Sequence, residues 1–318
     1  MKLGVLTVPL YGMDTESAFK YLSEKGVQMV ELGGGNYPGN THTAPYFSGD
    51  KTVDDLKALL EKYGLGVSAI AAQGNQIHPN KAIAAEFQKG FEDSVLLAEK
   101  LGVGTVNVFS GCPGDCETSQ NPNWVTCPWP PEYLEVLDWQ WNSVLIPYWK
   151  EAVKFAKSHG VTKLAFEMHP GFLVYNPETL LRLREAVGPE IGANFDPSHL
   201  VWQGIDPVAA IRMLGDAVFH FHAKDTRIDE INKARIGVLD TKHYGDNGRA
   251  WDFRSVGYGH DEFFWKEIVT ALQMVGYDGT LSIEHEDGRM SVTEGLEKAI
   301  DTLKNVLVFE KPGAMWWA

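Results

Sequence analysis

The chain has 318 residues, of which 44% are hydrophobic and 22% charged, and its formal net charge is -14 at pH 7. Such acidity repels a phosphate backbone, and no apolar run approaches the roughly 20 residues needed to cross a bilayer, so neither nucleic acid nor a membrane is an expected partner. The start, MKLGVLTVPLYG, reaches Pro and Gly too soon to be the apolar region of a signal peptide, and reads as the first strand of a cytoplasmic protein.

Short apolar or β-branched runs alternate with longer segments of helical spacing, the pattern of parallel βα units. Strands are predicted at residues 3–8, 28–32, 67–72, 105–109, 163–168, 192–195, 217–223 and 280–285. Helices are predicted at 15–25, 53–62, 81–101, 133–158, 177–186, 207–214, 263–275 and 291–306. Asn176-Pro177 and Asp206-Pro207 each place a capping residue before a proline at the first helical position. Glycine soon follows Leu101, Ser158 and Val275, where helices stop. Eight such pairs predict a single (β/α)8 TIM-barrel domain over residues 1–318, longer than the about 250 residues typical of that fold. The excess falls in two insertions, residues 110–131 and 226–259. Both follow a strand, which in a barrel is the face that carries the site, so they read as substrate loops.

In the first insertion lie Cys112, Cys116 and Cys127. A structural zinc site needs four ligands and no neighbouring histidine completes this one, so metal is expected elsewhere.

The ends of the last four predicted barrel strands read FEMHP, NFDPSH, FHFHAKD and SIEHED, each placing an acid or histidine at the mouth. Glu167, Asp196, His222 and Glu284 are the predicted metal ligands, because three carboxylates and one imidazole make an oxygen-rich set for a divalent ion. Manganese or magnesium suits that set, with manganese foremost and cobalt, zinc or iron compatible. The two-residue period of a strand puts His220 on the same face as His222, Glu167 with His169, and Glu284 with Glu286. His222 is preferred because it lies nearer the strand's C-terminal end, leaving His220 deeper as a hydrogen-bonded core residue. His199, three residues after Asp196, either orients substrate oxygens, binds the metal or caps the following turn.

Trp124, Trp129, Tyr244 and Trp251 lie in the insertions, where they either stack on a sugar ring or pack the loops. Lys224, Asp225, Arg227 and Arg249 are candidates for contacting a phosphate or carboxylate, although no glycine-rich phosphate loop precedes a helix. The closing GAMWWA carries two tryptophans suited to packing beneath the barrel or against another subunit, so a homo-oligomer is compatible with the sequence.

GNQIHP, FEMHPG, NFDPSHL, FHFHAKD, VGYGHDEFFW and IEHED together resemble the sugar phosphate isomerase/epimerase group of the xylose-isomerase-like barrels, over essentially the whole chain. The resemblance places the metal quartet on the same four residues, sets His199 beside the substrate, and adds His78 and Arg227 at the mouth. Leu173 stands where ketose 3-epimerases of this superfamily carry a second catalytic glutamate. Phe109-Ser110 and the run WDFRSVG lack the extra histidines of the three-zinc endonuclease branch, which points away from DNA repair.

A metal-dependent isomerase or epimerase acting on a small sugar or polyol is therefore expected. Proton abstraction next to a carbonyl would give an enediolate, with Glu284 as base and His169 or His199 as its partner. A lyase or dehydratase acting on an oxidised sugar, inositol ketone or 3-keto-glycoside is the first alternative. A non-catalytic sugar-binding barrel is the second.

Overall fold

Ten strands and twelve α-helices are formed in the computed structural model, which describes residues 1–35, 37–310, 313–315 and 317. The strands are β1 (Lys2–Leu6), β2 (Met29–Gly33), β3 (Gly66–Ala72), β4 (Thr105–Val108), β5 (Lys163–Glu167), β6 (Ile191–Phe195), β7 (Val218–Ala223), β8 (Asp225–Ile228), β9 (Trp251–Arg254) and β10 (Thr280–Ile283). All but β8 and β9 close in the order β1-β10-β7-β6-β5-β4-β3-β2, with every adjacent pair parallel. The molecule is a (β/α)8 barrel, as the alternation of patterns predicts.

The helices are α1 (Thr15–Glu24), α2 (Ala44–Ser48), α3 (Val53–Tyr63), α4 (Lys81–Leu101), α5 (Glu132–Trp139), α6 (Ile146–Ser158), α7 (Pro177–Val187), α8 (Pro197–Val201), α9 (Pro207–Leu214), α10 (Glu230–Ile236), α11 (Glu262–Met274) and α12 (Val292–Val306). Asn176 and Asp206 cap α7 and α9 by accepting from the backbone N–H groups of Thr179 and Ala209. The helix predicted at 133–158 is divided by a π turn at residues 140–145. Pro147 follows that turn and cannot donate to Ser143, and Ile146 donates instead to the Trp141 carbonyl, which widens the ladder. None of the described helices is long and apolar enough to span a membrane. Trp316 lies outside the described residues, and Trp317 is exposed.

A polar layer crosses the barrel interior. Glu31, Asn107, Asn194, His220 and Ser282 come from five different strands and are all buried. Asn107 donates to Glu31 at 2.7 Å, Ser282 donates to Glu31 at 2.8 Å, and His220 meets Asn194 at 2.9 Å and Ser68 at 3.2 Å. A buried polar group is tolerated when its partners are in place, and this layer supports the residues above it.

The two insertions differ in kind. Residues 110–131 contain no helix or strand, and are held from beneath by the Trp149 indole donating to the Ser110 carbonyl at 2.9 Å. Residues 226–259, read from sequence as a loop, carry α10 and a two-stranded antiparallel ribbon of β8 and β9. The ribbon buries Trp251 and Phe253 with Trp202 and Ala250 in a small core of its own. Its return is pinned on Asp225, which accepts from the backbone N–H groups of Gly257, Gly259 and His260 and pairs with the His260 ring at 2.8 Å. A Cβ on Gly259 would lie 2.4 Å from Asp225 Oδ1, so only glycine permits that approach.

Candidate active site

Glu167 closes β5, Asp196 follows β6, His222 lies near the end of β7 and Glu284 follows β10. One ligand atom from each lies within 4.8 Å of the others, and all four residues are buried. Asp196 is also the N-cap of α8: its Oδ1 accepts from Ser198 N at 2.8 Å, which aims Oδ2 at the cluster. Glu167 is fixed by Gln73 at 2.6 Å and by His199 Nε2 at 3.0 Å.

His222 has one ring nitrogen on each side of the cluster boundary. Its Nε2 faces Glu31 Oε2 at 2.9 Å, below the cluster. Its Nδ1 lies 3.2 Å from Glu167 and 3.1 Å from Glu284, without hydrogen-bond geometry to either. Asp196 Oδ2 is likewise buried without a hydrogen bond. Two buried ligand atoms aimed at one point, with further carboxylate oxygens around them, are the donor set of a hard divalent cation once His222 gives up its proton. Glu31 then orients the imidazole from behind, the arrangement that commonly supports a metal-ligating histidine.

Charge in the cluster is tightly opposed. Burial disfavours ionisation of Glu167, yet the hydrogen bond with His199 and the charge of the neighbouring His222 hold its carboxyl well below the usual range. Against the same penalty of burial, Lys224 and His222 bring Glu284 down to about 2. Asp196 goes the other way, pushed up to about 7 by burial despite the opposing pull of Lys224. His222 is raised well above an ordinary histidine because Glu31 and Glu284 overcome its burial.

Lys224, expected to contact substrate, is almost wholly buried beside the quartet. Its Nζ lies 3.1 Å from Asp196, 2.8 Å from Glu284 and 2.9 Å from Glu286, and it sits 4.6 Å above the Phe253 ring. Burial opposes its charge, but Asp196, Glu284 and Glu286 keep it protonated far above the usual lysine range.

A cavity of about 380 Å³ opens beside this cluster, lined by Glu167, Glu284, Glu286, Lys224, His169 and aromatic residues including Phe109 and Phe172. His169 packs against His199 with ring centroids 4.1 Å apart. Its Nδ1 donates to the Pro170 carbonyl at 2.6 Å, which leaves Nε2 as the acceptor. Burial lowers the pKa of His169 and brings that of His199 down to about 3, so both rings are neutral near pH 7.

Other sequence candidates fall elsewhere. Trp124 lines a second cavity of about 360 Å³ that also contains His169 and His199. Arg227 is exposed and lines a separate cavity of about 240 Å³ with Arg249, Arg254 and Arg289, on the far side of the ribbon's Trp251. Arg227, expected at the mouth, thus lines neither of the two cavities beside the quartet. His78 lines neither cavity beside the quartet, and its Nδ1 accepts from Asn80 N at the start of α4. His220 belongs to the polar layer beneath. The cysteines are free, Cys112 buried and Cys116 and Cys127 exposed. Glu31 escaped the sequence reading. Its signal is an acid in the centre of the apolar strand MVELG, a position that demands partners.

A closed barrel with its acid and histidine cluster beyond the carboxyl ends of the strands defines a class of protein. The chain belongs to the xylose isomerase-like TIM barrel family, whose model matches residues 19–306. It is 37% identical to the protein YfiH of Bacillus subtilis (strain 168) over 316 residues, 96% of this chain and 99% of that one. It is 25% identical to the inosose dehydratase of Mesomycoplasma hyopneumoniae (strain 7448), covering 81% of this chain and 83% of that one. Among solved structures, the zinc-bound IolI protein superimposes with a TM-score of 0.65 at 18% identity, covering 96% of this chain and 98% of that one. A D-tagatose 3-epimerase-like protein gives a TM-score of 0.62 at 21% identity over the same shares. At those identities the two structures share the fold with this chain.

Proposed function

We propose that the chain is a divalent-metal-dependent isomerase or epimerase that moves a proton next to the carbonyl of a small sugar or polyol. The observation that carries this reading is the convergence of four buried donors, two of them with atoms that make no hydrogen bond, on a point beside a cavity that also holds His169. Glu167, Asp196, His222 and Glu284 would hold the ion, manganese foremost, with magnesium, cobalt, zinc or iron as alternatives; IolI is a zinc-bound relative in fold. When bound, such an ion supplies Lewis-acid polarisation of a carbonyl and so acidifies the adjacent C–H.

The chain's own groups supply the rest. Glu284, held ionised, is the base that takes the proton. His169, two residues beyond β5, lines the same cavity with a neutral Nε2 and exchanges the second proton. His199, hydrogen-bonded to Glu167, orients that carboxylate instead of serving as the partner base. Lys224 keeps a positive charge at the cavity wall, where an enediolate oxygen would develop its negative charge. Proton return to the opposite face gives an epimer, and return to the neighbouring carbon gives an isomer.

A second reading, a dehydratase or lyase acting on an oxidised sugar, inositol ketone or 3-keto-glycoside, is favoured by Leu173. This buried apolar side chain occupies the position of the second glutamate of the ketose 3-epimerases that the motifs resemble. The similarity to inosose dehydratase points the same way. Metal analysis of the purified protein, then NMR of ketoses, inosose and keto-glycosides in deuterated water with added manganese, tests both. One ion per chain with metal-dependent deuterium entry beside a carbonyl supports the proposal, and the product separates epimer from alkene. No ion and no exchange would leave the non-catalytic sugar-binding barrel.

A further inference from the structure

Two cavities meet at the candidate site, and they are chemically unlike. The first, about 380 Å³, is walled by Glu167, Glu284, Glu286 and Lys224. The second, about 360 Å³, is walled by Trp124, Trp202, Tyr244 and Trp251, with Val238 and Leu239 from the insertion after β7. His169 lines both. Each falls in the size range of small-molecule sites, about 300–1,000 Å³.

The second cavity is a built feature of the fold. Trp202 comes from the end of α8 and Trp251 from β9, and their rings stack 4.6 Å apart at 5°. Tyr244 packs against Trp251 and Phe253, and Phe253 underlies both Lys224 and His199. One ribbon thus shapes the aromatic cavity and backs the quartet. Trp202 is only 7% exposed, yet its indole N–H has no hydrogen-bond partner, and the Trp124 indole N–H has none either. Leu239, at 71% exposed, and Tyr244, at 58%, present apolar surface around the cavity. Apolar side chains left in water beside a flat-walled cavity mark a surface that a ligand covers.

We propose that the substrate has two parts: a sugar or polyol ring in the carboxylate-lined cavity and a planar aromatic group, attached to it, in the tryptophan-lined cavity. The second cavity is then a specificity subsite for an aryl aglycone, and the inference rests on the first cavity being the sugar site. Apolar and aromatic contact with Trp124, Tyr244 and Leu239, the accessible members of the wall, supplies the affinity, while the stacked pair Trp202 and Trp251 forms the rigid floor behind them.

The test uses the manganese-loaded full chain and matched pairs of p-nitrophenyl and methyl glycosides in the gluco, galacto and xylo series, with binding measured by calorimetry. Deuterium exchange of the corresponding 3-keto-glycosides is followed separately. Burying the aryl ring is expected to make at least one p-nitrophenyl glycoside bind about tenfold or more tightly than its methyl partner. Leu239→Asp and Tyr244→Ala, both at exposed positions and both checked for metal content and melting temperature, should each cut that ratio below about threefold. No aryl preference in any series, or a preference that survives both substitutions, overturns the inference. The exchange arm is independent: aryl preference without exchange supports the subsite while defeating the proposed reaction, and exchange without aryl preference does the reverse.

Discussion

His220 and His222 lie two residues apart on one strand and face the same way, yet their surroundings have opposite character. Both ring nitrogens of His220 have partners, in Asn194, Asn107 and Ser68, and burial lowers its pKa to about 4. His222 keeps Nε2 against Glu31 and leaves Nδ1 unpartnered among carboxylates. A single turn of the pleat separates a histidine with hydrogen bonds at both ring nitrogens from one with a hydrogen bond at only one. The lower layer is architecture and the upper one is suited to bind.

Breaking the upper layer should give the largest effects. Asp196→Ala and Glu167→Ala are expected to drop bound metal from one ion per chain to below about a tenth, with activity falling at least about a thousandfold. Elemental analysis and the exchange assay check this, and full metal content in both variants would remove the quartet. His169→Gln is expected to keep the metal and to lower kcat by about a hundredfold to ten-thousandfold, the usual scale of a lost acid or base. Unchanged exchange in that variant would transfer its role elsewhere.

Glu31→Gln probes the border between the layers. Loss of the carboxylate behind His222 should weaken metal affinity about tenfold to a hundredfold without abolishing binding, as read by competition with a chelator. pH sharpens the same contrast. Protons on His222 and on Asp196, which is pushed up to about 7, occupy atoms the ion needs. Affinity should therefore fall as pH drops, first through the raised range of His222 and again below about 7 as Asp196 takes its proton, by up to about tenfold per unit for each proton displaced, with proton release on binding measurable by calorimetry in buffers of different ionisation enthalpy. His220→Phe should show the smallest effect on metal and a larger one on folding. Stranding the Asn194 side-chain oxygen costs about 1–3 kcal/mol, detectable by urea denaturation, while the ion remains bound.

Much of this was legible in the sequence because it is local or periodic. Strands and helices alternate with distinct spacing, and the four mouth motifs fall where strands end. His222 could be preferred to His220 because depth along a strand follows from counting. Glu31 was not legible in the same way. Its partners Asn107, His222 and Ser282 come from three other strands, and only closure of the barrel brings them within 3.1 Å. The ribbon in residues 226–259 was missed for a related reason: β8 and β9 are short, and each gains its stability from the pairing and from a core shared with Trp202.

Lys224 and Arg227 mark the boundary most clearly. Both were candidates for touching substrate, and they lie three positions apart. The structure buries Lys224 among three carboxylates and turns Arg227 outward, because the chain leaves the barrel at Lys224 and enters the ribbon at Asp225. Sequence alone determined the barrel and the ring of acids and histidines at its mouth, since period and strand-end position are properties of consecutive residues. Tertiary structure decided which nitrogen of His222 faces the carboxylates, that the Lys224 side chain sits among them, and that an aromatic cavity adjoins the cluster. Each of these depends on groups that are distant in the chain and meet only when the sheet closes and the insertion folds back over it.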